Sequence, residues 1–454
     1  MSSLNTSLAA ALSGLQAEQG ALEATANNVA NVNTPGYSRQ VPQLVTRDPI
    51  VEDRLTFGTG VTLDRIQSIR DTILESQIQQ ETQTQGRLNA LVSALSETET
   101  NFTSTTGDIG TAISNFFDSI NQLSTSPADL SLRQNVLTAA GNLASAFNLA
   151  SNRLTSQRGN LDTSVQQAVA QINQLSDQIA RLNQQISTIQ NVGENPGTFI
   201  DQRTQLTDQL SSLIDVSVIP TDNTITLTTS NGIPLVSGQR SFGLSTQLDA
   251  SGVQHIVSQG SDITSDVISG QLGGLLEARD QQIPDVQSRL DLLASALADA
   301  VNQVQTKGFD LNGSSGTNLF HPPSASGAAT VLSVAISDPS LLAASSDGTP
   351  GNNGNAEAFY ALRNQALVNG ETPTDYYSNL VFNVGNATAN ANAEQSASNL
   401  VLQQLNDQRA KVSGVSLDEE AANLMRFQQA YAASAEVISS INSMMQTVIN
   451  MKNS

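Results

Sequence analysis

The chain has 454 residues, enough for several domains and a sizeable core, yet only 4% are aromatic, tryptophan is absent and 13% are charged. Its 41 acidic against 20 basic residues leave a net charge of −21, which repels phosphate backbones and anionic membrane surfaces and argues against nucleic acid as a partner. The absence of cysteine excludes disulfides, thiolate catalysis and the usual structural zinc sites.

The first segment, from Met1, has no basic residue before Arg39 and so lacks the charged region of a secretory signal. No apolar run approaches the roughly 20 residues that span a bilayer, and no membrane insertion is expected. The chain is then either cytosolic or leaves the cell by a route that reads no cleaved signal. Leu4, Leu8, Leu12, Leu15, Leu22, Ala26 and Val29 follow spacings of three, four and seven, which predicts an amphipathic helix. It runs into "ANNVANVNTPGY" (26–37), where Asn27, Asn28, Asn31 and Asn33 are poor helix-interior residues because their amides compete for backbone hydrogen bonds. Thr34-Pro35-Gly36-Tyr37 reads as a type II-like turn, with Pro at its second position and Gly where a positive φ is needed.

Helices are expected next over 68–100, 109–124 and 129–157. Leu161, Val165, Ala168, Ile172, Leu175, Ile179, Leu182, Ile186 and Ile189 then keep an unbroken heptad, the clearest coiled-coil signal in the chain. "NVGENPG" (191–197) ends it, and "DQRTQLTDQLSSLI" (201–214) starts a partner for an antiparallel pair. From 216 to 268 apolar and polar residues alternate between Asn-Gly and Pro punctuation, the pattern of short strands and hairpins. Helix returns at 271–306, a Gly/Ser/Pro/Asn-rich stretch fills 308–356, and a last helical zone covers 390–450. In that zone Leu417, Leu424, Phe427, Tyr431, Ile438, Ile441, Met445 and Val448 form a second apolar stripe. It opens with "SLDEE" (416–420), where Ser416 can cap the helix, Glu419 can reach back, and Asp418, Glu419 and Glu420 suit a helix N-terminus.

These readings give a mainly α fold with a small β-rich insertion: a long helical, coiled-coil core built by the N- and C-terminal halves, and an outer β domain. The expected division is an assembly segment of helix plus turn over 1–50, helical core over 51–215 and 269–400, the β domain over 216–268, and an assembly helix over 401–454. The two terminal stripes need partners, since an isolated helix buries nothing. Pairing with each other would make a thin unit that copies in neighbouring subunits complete, and a head-to-tail contact would give a ring or helical tube.

Chemistry is sparse, and no enzyme, cofactor or metal site is expected. His255 and His321 lie far apart with no ligand pattern. "DLNGSSG" (310–316) lacks the acidic series and distal Glu of a calcium loop, and "GQLGG" (270–274) lacks the Lys and Ser/Thr of a phosphate loop.

"SGLQAEQGALEATANNVANVNTPGYSRQ" (13–40) resembles the N-terminal signature of the axial proteins of the bacterial flagellum, which form its rod, hook and hook-associated parts. "GVSLDEEAANLMRFQQAYAASAEVI" (414–438) is similar to their C-terminal signature. Ser38-Arg39-Gln40 after the turn, "GTGVTLDRIQSIRDTILESQIQQE" (58–81), "PADLSLRQNVLTAAGNLASAFN" (127–148), "DQRTQLTDQLSSLIDVSV" (201–218), "GGLLEARDQQIP" (273–284) and "GFDLNGSSG" (308–316) resemble the hook-associated branch. Two features depart from it. The variable outer part is short, and Gln305 stands where that branch is expected to carry His.

The resemblance implies an architectural protein exported through the flagellar type III apparatus, extracellular, and polymerised at the hook tip as the junction with the filament. Its implied partners are the flagellar hook protein, further copies in a helical ring, the next junction protein (hook-associated protein 3), then flagellin, and an export chaperone on the C-terminal helix. Both terminal stripes, the four asparagines and Thr34 to Tyr37 are then the assembly interface. The alternatives are another axial protein of rod or hook, a secreted type III effector, and a free-standing coiled-coil adhesin.

Overall fold

An uninterrupted apolar stripe makes the longest element of the molecule. In the computed structural model, which describes residues 2–452 apart from 35, 53–54, 104–106, 193, 222, 251 and 323–325, helix α4 runs from Leu130 to Asn191 over 62 residues. Asp129 caps it, accepting hydrogen bonds from the backbone N–H groups of Ser131 (2.7 Å) and Leu132 (3.2 Å). The helices expected over 129–157 and from 161 are therefore one. Gly159 between them costs a helix only about 1 kcal/mol and has no proline beside it, so tertiary burial on both sides carries the helix through.

Around α4 lie helices α2 (Thr72–Thr103), α3 (Ile109–Thr125) and α5 (Gly197–Leu213), the last folding back on α4 as expected. Helix α6 (Gly270–Glu277) continues through a π-turn at Ala278–Gln282 into α7 (Ile283–Lys307). The turn sits just before Pro284, which has no N–H to give the helix. One core joins these helices, with Phe116 facing Phe117 and Phe320 at ring-centroid distances of 5.4 and 6.1 Å.

A β insertion follows α5. Strands β5 (Ser217–Pro220), β6 (Ile225–Thr228), β7 (Pro234–Ser237) and β8 (Arg240–Ser241) make a four-stranded antiparallel meander. Strands β9 (Leu244–Leu248), β10 (Gln254–Ser258) and β11 (Ser261–Asp262) make a three-stranded sheet in the order β11-β10-β9. Arg279 of the π-turn, 1% exposed, fixes this insertion to the core by donating to the Gln254 carbonyl and pairing with Asp162 of α4, both at 2.7 Å.

The loop-rich stretch is stitched to α7 by amides. Gln305 is fully buried, donates to the Leu341 carbonyl (2.9 Å) and accepts from the Ala343 N–H (3.1 Å), so both ends of its amide are used. Asp310 accepts from the N–H groups of Asn312 and Ser314, a plain Asx-type turn. Two short helices, α8 (Ala328–Val331) and α9 (Gly354–Ala361), lie in and after this stretch.

Four strands arise where the sequence reading placed only a turn and helical core. Strands β1 (Gln40–Thr46) and β4 (Val61–Ser68) pair antiparallel, and β2 (Ile50–Glu52) and β3 (Leu55–Phe57) form a small hairpin between them. The final helical zone is two helices: α10 (Pro373–Ser413) runs along α2, and α11 (Leu417–Lys452) pairs with the first helix, α1 (Ser2–Ala30). The strands β1 and β4 support α1. The buried residues of α1 and α11 belong to no part of the main core cluster, so the terminal pair is held by a separate, thin set of contacts.

Candidate assembly interface

The two terminal helices approach through small side chains. Ala17, Ala21 and Ala24 are buried on α1, and Phe427 and Ile441 on α11. A Cβ on Gly14 would already stand 3.4 Å from the Ser434 hydroxyl. Alanine and glycine permit this distance but contribute little apolar area, so the pair buries less than two leucine-lined helices would. The larger residues lie at the margins. Leu4, Leu8, Leu15 and Leu22 are half-buried and Leu12 is exposed; Leu424, Ile438 and Met445 are half-buried, while Leu417, Tyr431 and Val448 are exposed. Met425, Val437, Met444, Ile449 and Met451 add to this exposed apolar surface, which is large for a chain end.

Between α1, β3 and α11 lies a groove of about 430 Å³, lined by residues such as Ala10, Phe57, Ala433 and Val437 and by no titratable side chain. Its chemistry suits an apolar side chain and offers nothing for bond making. Among the described residues no cluster of His, Cys, Asp or Glu could hold a metal ion, and no helix is long and apolar enough to cross a membrane. His255 is half-buried on β10 with Nδ1 2.6 Å from Asp262, a hydrogen bond that raises its pKa; Asp262 is exposed, and His321 stands apart from the pair.

The asparagine-rich segment divides by role. α1 continues through Asn27 and Asn28 to Ala30, and the chain then closes a turn in which the Tyr37 N–H donates to the Thr34 carbonyl (3.2 Å). Gly36 has φ +79°, the left-handed value that a type II turn requires; Pro35 lies outside the described residues. Asn27 and Asn33 face solvent, and Asn31 caps locally, donating to the Asn27 carbonyl and accepting from the Thr34 hydroxyl.

Asn28 differs from its neighbours, because its side chain is 1% exposed and used within the chain. It donates to the Gln40 carbonyl (2.8 Å) and to Glu420 (3.1 Å), and it accepts from the Tyr37 hydroxyl (2.9 Å) and the Gln40 N–H (2.8 Å). Beside it, Arg39 pairs with Glu420 (2.8 Å) and Glu419 (2.6 Å), and the Arg39 N–H donates to the Ser413 carbonyl (2.9 Å). Glu419 and Glu420 therefore serve as more than favourable charges at a helix start. They fasten α11 to the chain leaving α1, while the Ser416 cap is stretched to 3.5 Å. Burial and the charges of Asp201 and Glu420 push the Tyr37 hydroxyl up to about 12, so it stays a donor.

Below this latch a second polar cluster joins the terminal unit to the body. Arg70, after β4, forms an ion pair with Asp201 of α5 and donates to the Thr204 hydroxyl (3.0 Å). Arg409, near the end of α10, lies between Glu75 of α2 (3.0 Å) and Asp208 of α5 (3.5 Å). Burial, opposed by Arg409 and aided by the charge of Glu75, pushes Asp208 up to about 6; burial also raises Glu75 and Asp201. None of these partners was legible by spacing, since Arg39 and Glu420 are 381 positions apart.

Known proteins resemble the chain over nearly its whole length. The family model described as the helical domain of flagellar hook-associated protein FlgK matches residues 95–320. Models described as the flagella basal body rod protein and as the C-terminal region of the flagellar basal body rod proteins FlgEFG match 8–37 and 407–451. The flagellar hook-associated protein 1 of Bacillus subtilis is 30% identical over 508 residues, covering 99% of each chain. That of Escherichia coli is 27% identical over 541 residues, covering 97% of this chain and 99% of its own. In fold the molecule is similar to the flagellar hook junction protein FlgK of Burkholderia pseudomallei, with a TM-score of 0.68 at 19% identity, over 74% of this chain and all of that one.

Proposed function

Because the chain belongs to the flagellar hook-associated protein 1 family, a family of structural proteins and not of enzymes, we propose that it polymerises at the tip of the hook as the junction with the filament. The observation that carries this reading is the terminal helix pair: α1 and α11 meet each other outside the main core and leave apolar residues exposed along both. Charge supports it. Up to Asn33 the only charged residues are Glu18 and Glu23, and beyond Glu420 only Arg426, Glu436 and Lys452, although the whole chain carries −21. Copies that repel elsewhere can approach at these ends.

In this reading the stripes of α1 and α11, together with Asn27, Asn33 and the 34–37 turn, face neighbouring copies, the hook protein below and the next junction protein above. Asn28 and Tyr37 hold the turn in shape for that contact. The exposed face of α11 is also the surface that an export chaperone would cover before the chain leaves the cell through the type III apparatus without signal cleavage. The terminal unit includes strands β1 to β4 up to Ser68, and the β5–β11 insertion faces outward.

The test is electron microscopy of cells lacking this chain, with an assay for flagellin in the medium. Complete hooks without filaments, and flagellin released as monomer, are expected. Missing hooks would move the chain to the rod or hook, and normal flagella would overturn the proposal.

A further inference from the structure

A second unpartnered surface lies on the body, away from the terminal pair. Phe382 and Leu400 are 64% and 68% exposed on α10. They are separated by about five helical turns and so point the same way. Between them on that face stand Asn386, Ala389, Ala393 and Ser396, all exposed and none charged. From Tyr376 to Asn406 the single charged residue is Glu394, whose carboxylate is 3.9 Å from Arg87 and off this face. On a chain of net charge −21, so long a neutral exposed strip is where two copies approach with least repulsion.

The same helix borders a receptor for the large side chain. Between α10 and α7 lies an open groove of about 440 Å³, walled by Tyr376, Leu380 and Asn383 on one side and Ser288, Arg289 and Leu292 on the other. A cavity of about 300 Å³ sharing Arg289, Leu380 and Asn383 continues it toward α2. Arg289 is neutralised by Asp285 at 2.9 Å. Asn383 is the next residue after Phe382, so projection and groove stand at one height and face about 100° apart around α10.

We infer that copies of this chain meet side to side along their bodies, the Phe382 ring of one copy seated in the α7–α10 groove of the next. The inference rests on the reading of the chain as a polymerising junction protein and adds a contact that the terminal helices do not make. A projection and a groove on different faces at one height give a head-to-tail contact, which repeats around a ring instead of closing as a two-fold dimer. The groove offers Tyr376, Leu380 and Leu292 to an exposed aromatic, alongside Glu371 and the paired Arg289, and such a seat is the chemistry of an anchoring contact.

The chain has no cysteine, so introduced ones report unambiguously. Flagella would be isolated from cells expressing Phe382→Cys, Ser288→Cys or both together, and exposed to mild oxidant. Both positions are exposed, and unchanged thermal unfolding of the purified chains checks their folding. A ladder of cross-linked multimers from the double variant, and none from either single variant, is expected. Recovery of the double variant in the flagella with no cross-linked product overturns the lateral contact and leaves terminal assembly standing. Dimers from Phe382→Cys alone overturn the head-to-tail geometry. Absence of the unsubstituted chain from the isolated flagella overturns the assembly reading and this inference with it. As a second check, Phe382→Ser should lower the amount of chain recovered in flagella several-fold with its unfolding unchanged; full recovery contradicts the contact.

Discussion

Single side chains set how the terminal unit is held, and Asp208 shows it through pH. Its pKa in the folded chain is about 6, against an ordinary 3.8, because burial and Glu75 outweigh Arg409. The folded chain therefore keeps a proton that the unfolded chain has released between those values. The resulting stability is complete below the unfolded pKa and is lost as pH rises through about 6. With about 1.4 kcal/mol per pKa unit as the ceiling, about one unit of the shift left above pH 5 and the side chain partly in contact with water, Asp208→Asn should gain about 1 kcal/mol on its parent between pH 5 and pH 8. Denaturant unfolding at both pH values measures this, and a variant with the parent's pH profile contradicts it. Gly36 acts through its backbone alone, with φ +79° and only the Gln205 Cβ, at 4.0 Å, near a Cβ placed there. Valine at a left-handed position costs about 1–3 kcal/mol, so Gly36→Val should reduce incorporation into flagella roughly tenfold while the main unfolding transition stays in place. Normal incorporation would remove the turn from the assembly account. Gly36 was legible because Pro-Gly names its own turn. The bonding of Asn28 was not, because its partners Gln40 and Glu420 are fixed by how two distant helices meet.

At the scale of elements, periodicity is what made the helices readable. The heptad from Leu161 to Ile189 and the stripes of α1 and α11 are written in apolar spacing that burial then uses. Strands β1 and β4 were missed because Pro42 and the adjacent Leu44-Val45 break alternation in one, Asp64-Arg65 breaks it in the other, and their pairing carries an irregularity between Gln43 and Leu44. The start of α11 was legible in "SLDEE", where Ser416 precedes Leu417; the end of α10 at Ser413, where the Gly414 N–H closes on the Ala410 carbonyl, was unmarked by any proline. The leucines of α1 were legible as a stripe, yet the alanines beside them form the buried face, so spacing located the helix and left its contact face open. Since α11 lies outside the main core, its docking should be separable from the rest. Phe427→Ala removes its largest buried side chain, at a cost of about 3 kcal/mol. Hydrogen exchange should then quicken about a hundredfold through α11 and not in α4. Equal acceleration in both would show that the terminal pair and the body unfold as one.

For the whole molecule, a charged, well-packed body is joined to ends that are sparse in charge and in packing. A body of net charge near −20 repels other copies, and ends that bury mainly alanine keep larger apolar residues exposed, which in the proposed reading other copies cover. The most direct test places one cysteine at Met425, exposed on α11, and another at Gln247, exposed on β9, in separate chains, and compares their reaction with a maleimide in the free protein and in isolated flagella. The account predicts that the Met425→Cys thiol reacts freely in the monomer and at least about tenfold more slowly once assembled, while Gln247→Cys stays reactive in both. Equal reactivity of Met425→Cys in the two states would contradict the claim that the terminal helices complete their contacts on assembly.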